Sequence, residues 1–156
     1  MIKTAIFAAG CFWGIEEKFL STDGVVETEV GYIGGKISSP SYQDVCEGNT
    51  NHAEAVRVHY NEEEITYDSL LDIFFDIHDP TQLNRQGPDF GTQYRSSIFV
   101  LDEYQKMSAQ NKINILNQQK YNGCIVTVIE DAKEFWLAEE YHQKYIRKKK
   151  QSGIFG

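Results

Sequence analysis

A cysteine set between two glycines and two aromatics, Gly10-Cys11-Phe12-Trp13-Gly14, has the surroundings of a nucleophile. The apolar run from Ile2 to Ala9 ahead of it spells a buried strand, and Ile15, Phe19 and Leu20 behind it recur at helical spacing. Cys11 therefore falls where a strand turns into a helix, facing unpaired N–H groups and the positive end of the helix dipole. Its thiol is expected to ionise more easily than an ordinary cysteine, whose pKa is about 8.5. The plain alternative is a buried cysteine that fills space.

Glu54 is a second titratable group at an odd address. The pattern from Glu54 to Tyr60 alternates, so Glu54 shares a strand face with Val56, Val58 and Tyr60. Buried there, the carboxyl would stay protonated and serve as an acid; at a strand end it would reach solvent instead. Tyr42 and Cys46 lie in a Ser-, Gly-, Asn- and Pro-rich stretch over 36–51, a long loop of the functional kind, with His52 just after it. A second polar stretch, 78–95, holds Asp89 and Tyr94.

These residues need a scaffold, and 156 residues with 41% hydrophobic and 13% aromatic content supply one domain, 1–156, with a real core. A net charge of −8 argues against a nucleic-acid backbone as partner, leaving the Arg147–Lys150 run as a solvated helix end. No apolar run approaches the roughly 18 residues of a membrane span, and no secretory signal is visible, so a cytoplasmic protein is expected. Three cysteines without CxxC spacing favour neither a disulfide framework nor a metal site. After the first helix the pattern gives a strand at 25–33, a strand at 54–60 and a helix from Leu70 to Ile77 capped by Thr66. A strand over 97–101 follows, then a helix to about residue 120 that opens on a capping box at Asp102–Gln105. A strand over 124–129 and a helical tail over 135–149 complete the reading. The fold class is α+β: a two-layer sandwich with a ferredoxin-like split βαβ core and C-terminal additions.

Taken together, Gly10-Cys11-Phe12-Trp13-Gly14, the stretch Tyr42 to Cys46, His52-Ala53-Glu54 and Gly91-Thr92-Gln93-Tyr94-Arg95-Ser96 resemble the peptide methionine sulfoxide reductase A family, in order over nearly the whole chain. The resemblance implies reduction of the S epimer of methionine sulfoxide, free or in oxidised proteins, as repair of oxidative damage. It makes Cys11 the nucleophile, oxidised to a sulfenic acid, and Glu54 the acid. Phe12 and Trp13 would wall in the methyl group, while Tyr42, Asp89 and Tyr94 would bind the sulfoxide oxygen or shape the pocket. It further implies a monomer without bound cofactor or metal, recharged by an external thiol from thioredoxin, glutaredoxin or a small thiol. Many relatives carry resolving cysteines near the C-terminus, whereas the stretch from Gln151 to Gly156 has none. The expectation is direct attack of the external thiol on the sulfenic acid, with Cys46 and Cys124 as the candidate resolving residues otherwise. Cys124 is expected to pack in its strand. Asn51 stands where a glycine usually precedes the histidine, and asparagine also accepts left-handed backbone.

Rival readings are a thiol peroxidase or redox sensor, a module that grips methionine without chemistry, and a Cys–His hydrolase using His52, His59 or His78. The first two leave an acid or a nucleophile without purpose, and no motif ties a histidine to Cys11.

Overall fold

The apolar run at the N-terminus forms strand β1 (Ile2–Ala9), buried from Ala5 onward, and passes through Gly10 and Cys11 into helix α1 (Phe12–Leu20). The computed structural model describes residues 1–152. Next come β2 (Val25–Ile33), α2 (Tyr42–Cys46), β3 (Ala53–Asn61) and α3 (Tyr67–Asp76). A small hairpin follows, β4 (Arg85–Gln86) with β5 (Asp89–Phe90), then a 3-10 turn at Thr92–Tyr94 and strand β6 (Ser96–Val100). The last part holds α4 (Glu103–Leu116) with a π-helical turn at Asn117–Tyr121, β7 (Val128–Asp131), β8 (Trp136–Leu137), a 3-10 turn at Glu140–His142, and α5 (Tyr145–Gln151).

Six strands form one sheet in the order β7-β6-β1-β3-β2-β8. Its four central strands, β6-β1-β3-β2, pair antiparallel in the split βαβ order expected from the sequence. Strand alternation decides which layer each residue joins. Phe7, Val56 and Val58 face the helices, where Phe7 stacks between Phe19 at 5.2 Å and Phe74 at 5.3 Å. Ile6, Ala8, Ala53, Ala55 and Phe99 face the opposite side, under Ala132 and Phe135. Among the described residues no helix is long and apolar enough to cross a membrane. The basic run joins α5, where Arg147 and Lys150 pair with Glu17 and Lys148 pairs with Glu140.

Four local expectations need correction. Stretch 36–51 is not all loop, because a capping box between Ser41 and Asp44 starts the short helix α2. At Asp102 only half a box forms: its carboxylate accepts from Gln105 N, while the Gln105 side chain bonds Leu101 N and Thr4 O instead. Cys124 does not pack in a strand; it is exposed, and β7 begins only at Val128. The tail is not one helix, because side chains tie it to the sheet. Gln143 bonds both N–H and C=O of Val30 at 2.9 Å, as a neighbouring strand would, and the buried Glu16 carboxylate accepts from Lys144 N and Thr28 Oγ1 at 2.7 Å. Residues 153–156 of the cysteine-free stretch lie outside the described residues.

Asn51 does adopt left-handed backbone, with φ at +62°. Asn51→Gly is therefore expected to change stability by less than about 0.5 kcal/mol, whereas Asn51→Ala should cost about 1 kcal/mol, both read from urea midpoints.

Candidate active site

Gly10 sets the geometry of the strand-to-helix turn. Its φ is +96°, and a Cβ there would sit 2.9 Å from the Gln86 side chain, so the backbone can pass only as glycine. Cys11 follows as the N-cap of α1, half-buried and without a side-chain cap bond. The first helical N–H, that of Phe12, donates to Glu54 Oε1 at 3.2 Å and so draws a carboxyl from the middle of the sheet to the residue beside Cys11. Glu54 is on the helix-side face, opposite Tyr32, and is only 1% exposed. Its other oxygen, Oε2, is buried and has no partner.

Burial pushes the Glu54 pKa up to about 8, with the Phe12 N–H pulling it down and the Asp89 carboxylate adding to the rise. Glu54 is thus a neutral acid at neutral pH, with its free oxygen beside the sulfur. Cys11 goes the other way from expectation. Burial raises the thiol to about 11; the Trp13 N–H at the helix start lowers it, and the carboxylates of Glu54 and Asp89 and the Cys46 thiol oppose its ionisation. The helix-terminus effect is present but smaller than desolvation by the surrounding loops. Cys11 therefore rests as a thiol.

Aromatic rings close the space around these two groups. Phe12 is buried with its ring centroid 5.8 Å from Tyr32, and Tyr42 reaches in from the start of α2. Tyr94 is held by its neighbour: Arg95 Nη1 donates to both Thr92 O and Asn51 O at 3.0 Å, tying the 3-10 turn to the end of the long loop. Burial raises both phenols, and the carboxyl of Glu54 acts on each, so Tyr42 and Tyr94 are hydrogen-bond donors in this pocket. Asp89 bears on Cys11, Glu54 and Tyr94 from β5. Cys11, Phe12, Trp13, Tyr42, Cys46, Glu54, Asp89 and Tyr94 thus converge, whereas Cys124 is on the turn after α4 and does not join them. None of the histidines proposed for a hydrolase is free to serve Cys11. His52 is bonded to Gly35 N and Ile37 O, His59 to Thr4 and Glu29, and His78 to Phe74 O and Ser96.

Two site residues come from the tail and carry no signal in the sequence. His142, 1% exposed, packs against Phe12 at 5.3 Å, Tyr42 at 4.3 Å and Tyr141 at 4.2 Å. Its Nδ1 accepts the Trp13 indole hydrogen at 3.0 Å, which places the ring's own hydrogen on Nε2, and burial holds the imidazole below its usual pKa. Tyr145 stacks on Trp13 at 4.0 Å. Glu139 accepts from Tyr42 N and Tyr32 OH and so fixes the start of α2 against the sheet. His142→Phe keeps a ring but removes the acceptor, so the Trp13 indole is left with a buried, unpaired N–H. We expect KM for small methyl sulfoxides to rise about fivefold to tenfold with kcat less affected, checked by steady-state kinetics.

A family model described as peptide methionine sulfoxide reductase matches residues 3–155. The chain is 52% identical over 149 residues to a peptide methionine sulfoxide reductase MsrA of Methanoculleus marisnigri, covering 95% of this chain and 91% of that one. Among solved structures it resembles Mxr1 from Saccharomyces cerevisiae in reduced form, with a TM-score of 0.88 and 44% identity over 96% of this chain and 87% of that one. Mxr1 in complex with Trx2 matches with a TM-score of 0.63 and 31% identity, over 92% and 84% of the two chains.

Proposed function

The chain belongs to the peptide methionine sulfoxide reductase family, and we propose that Cys11 is the nucleophile of its reaction and Glu54 the acid. The enzyme reduces methionine sulfoxide to methionine. A sulfoxide sulfur is a poor electrophile until its oxygen is protonated or strongly hydrogen-bonded. Glu54 supplies that proton from its unpartnered Oε2, and the hydroxyls of Tyr42 and Tyr94 hold the oxygen. Cys11 Sγ then bonds to the activated sulfur and its thiol proton passes to the Glu54 carboxylate. Methionine leaves as the hydroxyl passes to Sγ. The balance is thiol plus sulfoxide giving sulfenic acid plus thioether.

One observation carries this assignment: a buried, neutral carboxyl with a free oxygen beside a nucleophile that is itself protonated. A peroxidase would need a standing thiolate, and Cys11 is not one. Phe12 and Trp13 provide the apolar wall for the methyl group, opposite the polar groups that hold the oxygen, so the pocket is handed and fits the S epimer. Asp89 shapes the polar side. The match over residues 3–155 supports a single reductase domain across the chain, and the Trx2 complex of Mxr1 supports a thioredoxin-type thiol as reductant.

A single turnover without reductant tests the reading. The S epimer of a methionine sulfoxide peptide should yield one methionine per protein, and the R epimer none. Equal bursts from both epimers would overturn the proposed pocket, and no burst would overturn the proposed roles.

A further inference from the structure

We propose that Cys46 resolves the oxidised nucleophile, its thiol condensing with the Cys11 sulfenic acid to give a Cys11–Cys46 disulfide and water. This rests on the assignment of Cys11 above. In the step the Cys11 S–O bond breaks and a bond between the two sulfurs forms. The hydroxyl leaves with the Cys46 thiol proton as water, the Cys46 sulfur is oxidised and the Cys11 sulfur is reduced by one step. The disulfide then needs two electrons from an external dithiol or from two thiols, the reductant class the reaction already uses.

The placement of α2 carries the inference. Tyr42 is its first residue, and the Tyr42 ring lies on His142, which lies on Phe12, the residue next to Cys11. Cys46 is four residues on, so it occupies the same helix face one turn later. Val45, on a different face, is fully buried and anchors the helix. At its far end the Cys46 carbonyl accepts from Gln93 Nε2 at 3.2 Å, and Gln93 precedes the pocket residue Tyr94. Helix α2 therefore bridges the two walls of the site, with Tyr42 and Cys46 both turned toward it. Cys46 is close enough to oppose ionisation of Cys11, and it acts on the phenols of Tyr42 and Tyr94 as well. It is exposed while Cys11 is half-buried, so a disulfide between them moves the oxidised sulfur to where an external thiol can reach it. Beyond Cys46 the backbone has no regular structure until β3 and passes Gly48 at φ +80°, which leaves the helix end room to close the gap. Cys124 offers no comparable geometry: its sulfur makes only a 3.8 Å contact with Asn122 O.

The test is a single turnover with the S-sulfoxide peptide and no reductant, on the parent, C46S and C124S, followed by intact mass, dimedone labelling and peptide mapping. The parent and C124S should each form one methionine, lose two hydrogens and two free thiols, and resist dimedone, with the map linking Cys11 to Cys46. C46S should form methionine, which also shows that it folds, but gain one oxygen and take up dimedone at close to one per chain. A parent that keeps the added oxygen and labels like C46S would overturn the proposal in favour of direct attack by the external thiol. A disulfide mapped to Cys124 would overturn it too. Absence of methionine from the parent would be a different failure, that of the Cys11 assignment itself.

Discussion

Cys11→Ser is expected to form no methionine in a single turnover, a loss of at least about 10^4-fold, while folding as well as the parent. Serine is a weaker nucleophile, but the deeper reason is the product. Oxygen transfer to sulfur gives a sulfenic acid, whereas transfer to a serine oxygen would create an O–O bond, so no route to turnover remains. Stability should move the other way. Cys11 is the N-cap of α1 and makes no side-chain cap bond. A serine hydroxyl can accept from the second or third N–H of the helix, which stabilises helices by about 0.5–1 kcal/mol. Equal or higher urea midpoints beside lost activity would assign Cys11 to chemistry. Residual burst activity would remove it from the nucleophile's place. The parent thiol should also alkylate slowly at neutral pH and accelerate toward pH 11, where burial has moved its ionisation. A resting thiol is protected from idle oxidation, because oxidants attack the thiolate.

That pKa marks where local reasoning stops. The strand, the glycine turn and the helix around Cys11 are all legible in residues 2–20, and so is the helix dipole that favours the thiolate. What reverses the outcome is desolvation by α2, the β4–β5 hairpin and the tail, none of which is near Cys11 in the chain. Glu54 shows the opposite case. Its alternation with Val56, Val58 and Tyr60 already placed it on the core face, and the sheet register fixes it there, opposite Tyr32. Helix α2 had a readable signal in Ser41 and Asp44, outweighed by the loop-forming composition around it. The tail had none: Tyr141 and Tyr145 are four apart, as on a helix, yet Gln143 pairs with Val30 in imitation of a strand. His142 is delivered to Trp13 only because of that pairing, across 129 positions of sequence. Contacts of that separation are set by the closed fold and leave no periodicity behind.

Glu54→Gln is expected to lower kcat about 10^2- to 10^4-fold and at the same time to stabilise the protein at alkaline pH. Glutamine keeps the shape and can still accept from the Phe12 N–H, but it has no proton to give. In the parent the active form is the protonated carboxyl, so kcat/KM should be level through neutral pH and fall above pH 8 as Glu54 ionises. Glu54→Gln should lose that alkaline limb along with most of the rate. A profile that climbs toward pH 11 instead would mean that thiolate formation governs the rate, and the acid role would be wrong. Stability follows from the same shift. The folded-state pKa of Glu54 is about 8 against an ordinary value of 4.5. Below 4.5 the group is protonated in both states and has no effect. Between 4.5 and 8 the unfolded chain ionises while the folded protein holds its proton, so folding stability declines as pH rises. Above 8 the loss is complete, about 3–5 kcal/mol. Glutamine removes this dependence, so Glu54→Gln should match the parent near pH 4.5 and exceed it at pH 9 in urea unfolding. A gap that did not vary with pH would show that Glu54 is already ionised in the fold. The site would then hold its proton donor elsewhere, since a carboxylate beside a sulfoxide oxygen repels the charge that must develop there.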